Sequence, residues 1–378
     1  MVQGRADPER DGVADYVRHL SAALRDAGDQ VLPVPVLGPR EAAERLRALQ
    51  PDLLHVQFAP SAFGFSARPG LLPDLVRDRP MVTTLHEYGW WSSPEWVPDA
   101  VWRPLERVGL WDRETWRFVP RSSTLLTTNA AHARVVQERF GRGTVTVPLA
   151  PNVPDLGAAD RTETRNRLGV PGDAQVVAFF GFVHPVKGLR YLIEALARLR
   201  GAGRDRLHLL VLGGFTSLAL PTAEARAFRE ELTAWTRTCG VEAHVTITGY
   251  LPSAEVSAAL HAADLAAFPF TAGATTKSGA LLSAFAHGLP TLVTAVPDAD
   301  HADPELVDGG SVVIAPNVRD AVVLVDGLTR LLDDEPLRRK VAAGGKALMA
   351  GRSWEEIAAT HRKVYAKALR GRGRRGAW

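Results

Sequence analysis

The feature that most constrains this 378-residue chain is a sustained alternation of short apolar runs with longer amphipathic stretches. The short runs, bounded by turn-forming residues, read as strands; the stretches with apolar residues three and four apart read as helices. Strands separated by helices pair in parallel, because a parallel pair needs a long crossover, so the expected class is α/β. In the first half, 31–36, 53–57, 81–85, 123–128 and 144–148 read as strands, with helices at 13–27 and 41–49. In the second half, 176–181, 208–212, 245–249, 265–268, 290–294 and 311–314 are the strands. Helices at 189–199, 222–239, 253–262, 278–286 and 318–333 lie between them, and 354–369 closes the chain.

Two such series exceed one ordinary core, and two domains are expected at this length. Pro151, Pro154 and Gly157 mark the changeover, giving domains 1–154 and 155–352 and a closing helix with a basic tail, 353–378. A doubly wound first domain should open on a strand, yet only about a dozen polar residues precede Val13. Either its first strand is missing or a later segment supplies the central position.

Of the 45 cationic residues 39 are arginine, and only two lysines, Lys187 and Lys277, occur before position 340. Each sits between a strand and a helix in a Gly-containing turn: Gly181-Phe182-Val183-His184-Pro185-Val186-Lys187-Gly188 and Gly273-Ala274-Thr275-Thr276-Lys277-Ser278-Gly279. An ammonium is a compact charge that enters such a turn more easily than a planar guanidinium. Helix N-termini add unpaired N–H groups that favour anions, so both turns are candidate phosphate sites.

A single cysteine, Cys239, excludes an internal disulfide and a thiolate metal cage, and fits a reducing cytoplasm. No apolar run is long enough to span a bilayer and no signal-peptide pattern opens the chain, so the expected location is cytoplasmic. The net charge of +3 is concentrated in the tail, Arg370 to Arg375, which allows at most peripheral membrane contact. No pattern for nucleic-acid binding is present.

Several of these segments together resemble the retaining glycosyltransferases of the two-Rossmann (GT-B) type, family 4, the group 1 glycosyl transferases. The resemblance rests on Asp11-Gly12-Val13, His55-Val56-Gln57-Phe58, Thr84-Leu85-His86-Glu87-Tyr88 and Gly181 to Gly188. Thr248-Gly249-Tyr250-Leu251-Pro252, Phe268 to Pro290 and Ser353-Trp354-Glu355-Glu356 complete it. It implies two Rossmann-like domains facing a central cleft, with the closing helix crossing back to the N-terminal one. It also implies a nucleotide-diphosphate sugar donor (UDP, GDP or dTDP type) as co-substrate, with no separate cofactor and no metal. Gly12, Gly181, Lys187, Gly188, Tyr250, Leu251, Thr275, Thr276, Lys277, Ser278, Gly279 and Ser283 fall at donor-binding positions. His86, Lys187 and Lys277 would be catalytic. His86 is either the family's sugar-contacting histidine or a hydrogen-bonded core histidine, and Glu87 is an acceptor contact or a loop charge.

The sequence departs from the family in its donor loop. Thr275 and Ser283 stand where two glutamates are usual, and Phe182 stands where an arginine often follows the glycine. The expectation is that Lys277 replaces that arginine's charge, leaving the identity of the sugar open. Asp298-Ala299-Asp300 lies in a loop past Pro297 and reads as solvated rather than metal-binding.

Six of nine tryptophans (90, 91, 96, 102, 111 and 116) crowd between His86 and 116, interrupted by Pro94, Pro98 and Pro104. The stretch reads either as an acceptor-binding lid, with Trp90 and Trp91 stacking on a small or ring-shaped acceptor, or as a loop pinned by its own rings. Three rivals remain: a catalytically impaired partner protein on the same fold, a nucleotide-sugar epimerase, and a dehydrogenase. The last lacks the G-x-G-x-x-G turn after a first strand.

Overall fold

The structure, a computed structural model, describes residues 1–5, 12–36, 38–77, 79–215, 222–298 and 302–373. Of the residues singled out above, Asp11, Ala299, Asp300, Arg374 and Arg375 lie outside these. The chain divides into two compact units, Met1–Pro148 with Ser353–Trp378, and Leu149–Arg352.

The expected boundary after residue 154 therefore falls six residues late. The proline-bearing segment is already hydrogen-bonded into the second unit: Asn152 N–H donates to Gly279 O (3.1 Å) and Val153 N–H to Ser283 Oγ (2.9 Å). A sequence reading registers the prolines, but not the hydrogen bonds that decide the side on which they fold.

The first unit holds six parallel strands: β1 Val2–Gln3, β2 Val34–Pro35, β3 Leu54–Phe58, β4 Met81–Leu85, β5 Thr124–Thr127 and β6 Val145–Thr146. Their order is β2-β1-β3-β4-β5-β6. The doubted first strand is thus present, made of two residues just ahead of the polar stretch. Val2 pairs with both Val34 and Val56 and is fully buried, a cue too short for periodicity to register. Every residue of β3 and β4 is buried, as a parallel sheet covered on both faces requires. The closing helix, Trp354–Gly373, belongs to this unit and packs on the helix Gly12–Asp26: Trp354 lies edge-on to Tyr16 (ring centroids 5.1 Å) and stacks on His19 (5.0 Å).

The second unit repeats the plan with β7 Gln175–Phe180, β8 Leu207–Leu212, β9 Val245–Ile247, β10 Leu265–Phe268, β11 Thr291–Thr294 and β12 Val313–Ala315. The order is β12-β11-β10-β7-β8-β9, all pairs parallel. Its core is aromatic at the centre, where the fully buried Phe179 and Phe268 lie 6.1 Å apart. The chain winds outward from β7 to β9 and then returns to the other side of β7 as β10. The strand order therefore reverses at β7, and the loops after β7 and β10 leave the carboxyl ends of two adjacent strands at this switch point. Among the described residues, no helix is long and apolar enough to cross a membrane.

Candidate functional site

Both rare lysines lie at that switch point. Lys187 ends a short turn, Pro185–Lys187, in the loop after β7, and Lys277 lies in the loop after β10. The two loops are tied together: Thr271 N–H donates to Val186 O (2.9 Å), and the Lys187 ammonium sits over the Phe270 ring at 4.1 Å. Between them Gly188 adopts φ +70°, and a Cβ there would overlap the Pro269 carbonyl oxygen. Glycine is required on both counts. Burial pushes the Lys187 ammonium down to about 8, so the group is charged at neutral pH but close to titrating.

The helix Gly279–Ala286 starts beside the same turn, since a Cβ on Gly181 would lie 3.6 Å from that of Ala280. Ser278 caps it by accepting from Leu281 N–H (3.3 Å), and Ser278 N–H donates to Thr275 O (3.1 Å). The N–H groups of Gly279 and Ala280 have no partner among the described residues, as expected at a helix start. Such N–H groups favour an anion, as does the Lys187 ammonium on the neighbouring loop. Lys277 is exposed.

Tyr250 is 64% exposed in the loop after β9, and Leu251 beside it is half-buried. Gly213 and Gly249 form an isolated bridge that brings the ends of β8 and β9 together. Tyr250 and Leu251, expected at donor-binding positions, thus follow a strand at the same carboxyl end of the sheet as the lysine loops.

Two expected donor contacts are committed elsewhere. Thr276 gives its N–H and hydroxyl to Asp303 Oδ2 (both 2.7 Å), and its Oγ1 lies 3.0 Å from Glu305 Oε2. Arg352 in turn grips Glu305 with two contacts (2.8 and 2.6 Å). Thr276 therefore anchors the loop. Ser283 is fully buried, donates to Gly279 O (2.8 Å) and accepts from Val153 N–H. A hydroxyl that short stays inside the helix–linker contact, where a glutamate would have to leave it. Thr275 is half-buried at the turn, with Lys277 N 3.4 Å from its hydroxyl.

In the first unit, His86 follows β4. Its N–H donates to Phe58 O (2.9 Å), its Nε2 lies 2.7 Å from Gln57 Oε1, and its ring meets Tyr16 edge-on at 4.7 Å. An amide oxygen only accepts, so Nε2 carries the proton and Nδ1 keeps a lone pair. Burial, reinforced by the charges of His132 and His361, pushes His86 down to about 3, so it is neutral at physiological pH. Behind it lies a buried polar layer that sequence reading missed. His55 bonds Tyr365 OH (2.6 Å) and Thr84 Oγ1 (2.8 Å), and His361 donates to Ile357 O (2.8 Å). The signal was available in the spacing of His55 and Gln57 on one strand face. Gly12 begins its helix with open space where a Cβ would be, so nothing among the described residues of the first unit demands glycine there.

The tryptophan stretch splits in two. Trp90 and Trp96 are 62% and 82% exposed, whereas Trp91 and Trp102 are buried. Trp91 is part of the first unit's core, which corrects its expected place on an acceptor surface. The stretch is pinned by buried polar contacts as well as rings. Tyr88 OH and Thr115 OH donate to Asp112 (2.8 and 2.5 Å), Gly89 N–H donates to Glu114 (2.8 Å), and Arg139 pairs with Glu114 (2.7 Å). Despite its three prolines it also forms a helix, Asp99–Arg107, with Pro104 inside it. Glu87 is exposed at its start.

The family profile of the glycosyl transferases group 1 matches residues 174–334, which contain both lysine loops. D-inositol 3-phosphate glycosyltransferase 1 of Catenulispora acidiphila is 30% identical over 374 residues, covering 96% of this chain and 83% of that one. The D-inositol 3-phosphate glycosyltransferase of Xylanimonas cellulosilytica is 28% identical over 337 residues, with 85% and 73% covered. Among solved structures, Anabaena HepE in complex with UDP and glucose superposes with a TM-score of 0.70 at 18% identity, covering 97% of this chain and 98% of that one. The shared fold is GT-B.

Proposed function

The chain belongs to the group 1 glycosyltransferases, and we propose that it moves a sugar from a nucleotide-diphosphate donor to a hydroxyl of a small, ring-shaped acceptor, with the anomeric configuration retained. The observation that carries the donor half is the Lys187 ammonium, held over Phe270 between the tied loops that follow β7 and β10, the second of which leads into the unpaired N–H groups of Gly279 and Ala280. A diphosphate placed there meets positive potential just where charge develops as it departs, the term that usually dominates such catalysis. Exposed Tyr250 offers a ring face for the base.

Retention follows if the acceptor attacks from the face the diphosphate leaves, a donor phosphate oxygen taking its proton. The protein then needs no side-chain base, which agrees with a neutral His86 whose Nδ1 accepts a hydroxyl hydrogen. Lys187 and the helix N–H groups neutralise the diphosphate in place of a metal. Lys277, exposed on the opposite loop, supplies charge for the position where Phe182 replaces arginine. UDP in HepE and the phosphorylated ring named for the two relatives favour a uridine donor and a polyol acceptor.

The test is nucleotide release from UDP-, GDP- and dTDP-glucose with inositol phosphates as acceptors. Release from one donor is expected, with Lys187→Met lowering kcat/KM by about 100-fold or more, the loss seen for a transition-state charge contact. Lys277→Ala should weaken donor affinity; unchanged affinity removes its compensating role. No turnover and no thermal shift with any nucleotide would return the chain to an inert partner.

A further inference from the structure

We propose that Asp155, His261 and His287 bind a divalent ion of the zinc type, which clips the opening segment of the second unit onto two of that unit's helices. Their ligand atoms lie within 4.8 Å of one another. A tetrahedral ion about 2.0–2.2 Å from each ligand needs them roughly 3.3 Å apart, so modest side-chain rotation closes the site. Asp155 and His261 sit near the surface and are able to turn.

The two histidines are prepared as ligands. His287 Nδ1 lies 2.7 Å from Ser283 O; a carbonyl only accepts, so Nδ1 carries the proton and Nε2 the lone pair. An N–H tied to a backbone carbonyl is the arrangement that orients metal-bound histidines. His287 Nε2 now faces Ser257 Oγ at 2.8 Å, and Ser257 also accepts from Leu156 N–H at 3.1 Å. His261 Nε2 lies 2.7 Å from Asp155 Oδ1, and the two imidazoles are 4.8 Å apart. These hydrogen bonds already gather the lone pairs that a bound ion would take in their place.

A second, independent observation favours a cation. His287 caps the C-terminus of the helix Gly279–Ala286, and His261 lies in the last turn of the helix Ser253–Ala262. The carbonyl ends of two helices therefore converge on the cluster, where their dipoles attract positive charge. The first of these helices would hold an anion at one end and a cation at the other. Lys346 is the opposing group, since its charge acts on His287. An imidazole–imidazole–carboxylate set suits zinc over magnesium, which demands oxygen ligands.

The experiment is titration of the tag-free, EDTA-stripped full chain with ZnCl2 by calorimetry, with thermal unfolding alongside. One equivalent of zinc should bind, raise Tm by roughly 5 °C at saturation, and be unmatched by MgCl2. His261→Gln and Asp155→Asn should each weaken binding at least about 10-fold, and Lys346→Met should tighten it. If His287→Gln fails to fold, those three variants still decide. No uptake of zinc, or uptake unchanged in His261→Gln and Asp155→Asn, overturns the proposal. Neither outcome depends on glycosyl transfer being detected.

Discussion

Lys187 shows how a single side chain sets a working pH. Its ammonium is held near 8 because burial disfavours the charged form. Donor affinity should therefore decline above about pH 8 as the charge is lost. Lys187→Arg, which cannot deprotonate, should bind more weakly but without that alkaline limb. Calorimetric titration of UDP from pH 7 to 9.5 reads the difference, and parallel pH profiles would separate Lys187 from the phosphate. Scarcity made this residue visible in sequence: two lysines among so many arginines stand out. Ser283 and Thr276 were not legible in the same way. Their partners, Val153, Asp303 and Glu305, lie far off in the chain, and a hydroxyl at a donor position looks the same whether it faces a ligand or the core.

At the scale of elements, the tryptophan stretch makes the sharpest division. Trp91→Ala should cost about 3–5 kcal/mol of stability, measured by denaturant unfolding, because its indole is core. Trp90→Ala should leave stability nearly unchanged and raise acceptor KM, with donor KM constant; the reverse pattern would remove Trp90 from the acceptor side. Strands and helices with strong periodicity were legible almost to the residue, as 81–85, 253–262 and 265–268 show. What escaped includes two full helices, Ala130–Phe140 and Glu335–Ala347, and elements that are short or locally ambiguous. Val2–Gln3 is a strand only because Val34 and Val56 flank it. Asp99–Arg107 reads as broken by Pro104, yet it is helical, and Arg113 bonds both Asp99 at its start (2.6 Å) and Glu106 near its end (2.8 and 3.0 Å). The fold was thus read from local pattern, while the site needed long-range partners.

At the scale of the whole molecule, buried ionisable groups set the pH range of stability. His86 and His361 are pushed down to about 3 and 4, and His55 well below its usual value, in each case chiefly by burial. Their unfolded forms bind protons near 6.5, so the stability they contribute is full above that pH and is lost as pH falls toward 4. Glu114 runs the other way: burial raises it to about 7, so its contribution is full below about 4.5 and lost as pH rises through 7. Three histidines against one glutamate leave the first unit weaker at pH 5 than at pH 7, by at most about 2 kcal/mol per histidine. Urea unfolding followed by tryptophan fluorescence at both pH values tests this, since the tryptophan-rich stretch lies in that unit. His361→Gln should flatten the acid side, whereas Glu114→Gln should raise stability at pH 8 more than at pH 5.

The contact between Gly188 and the Pro269 carbonyl works as a fixed ruler between the loops that follow β7 and β10. Even one added methyl group would pry them apart, widening the gap that a diphosphate must bridge. Saturation mutagenesis selected on transfer should therefore return a single amino acid at that position, while its neighbour Val186, half-exposed, drifts freely.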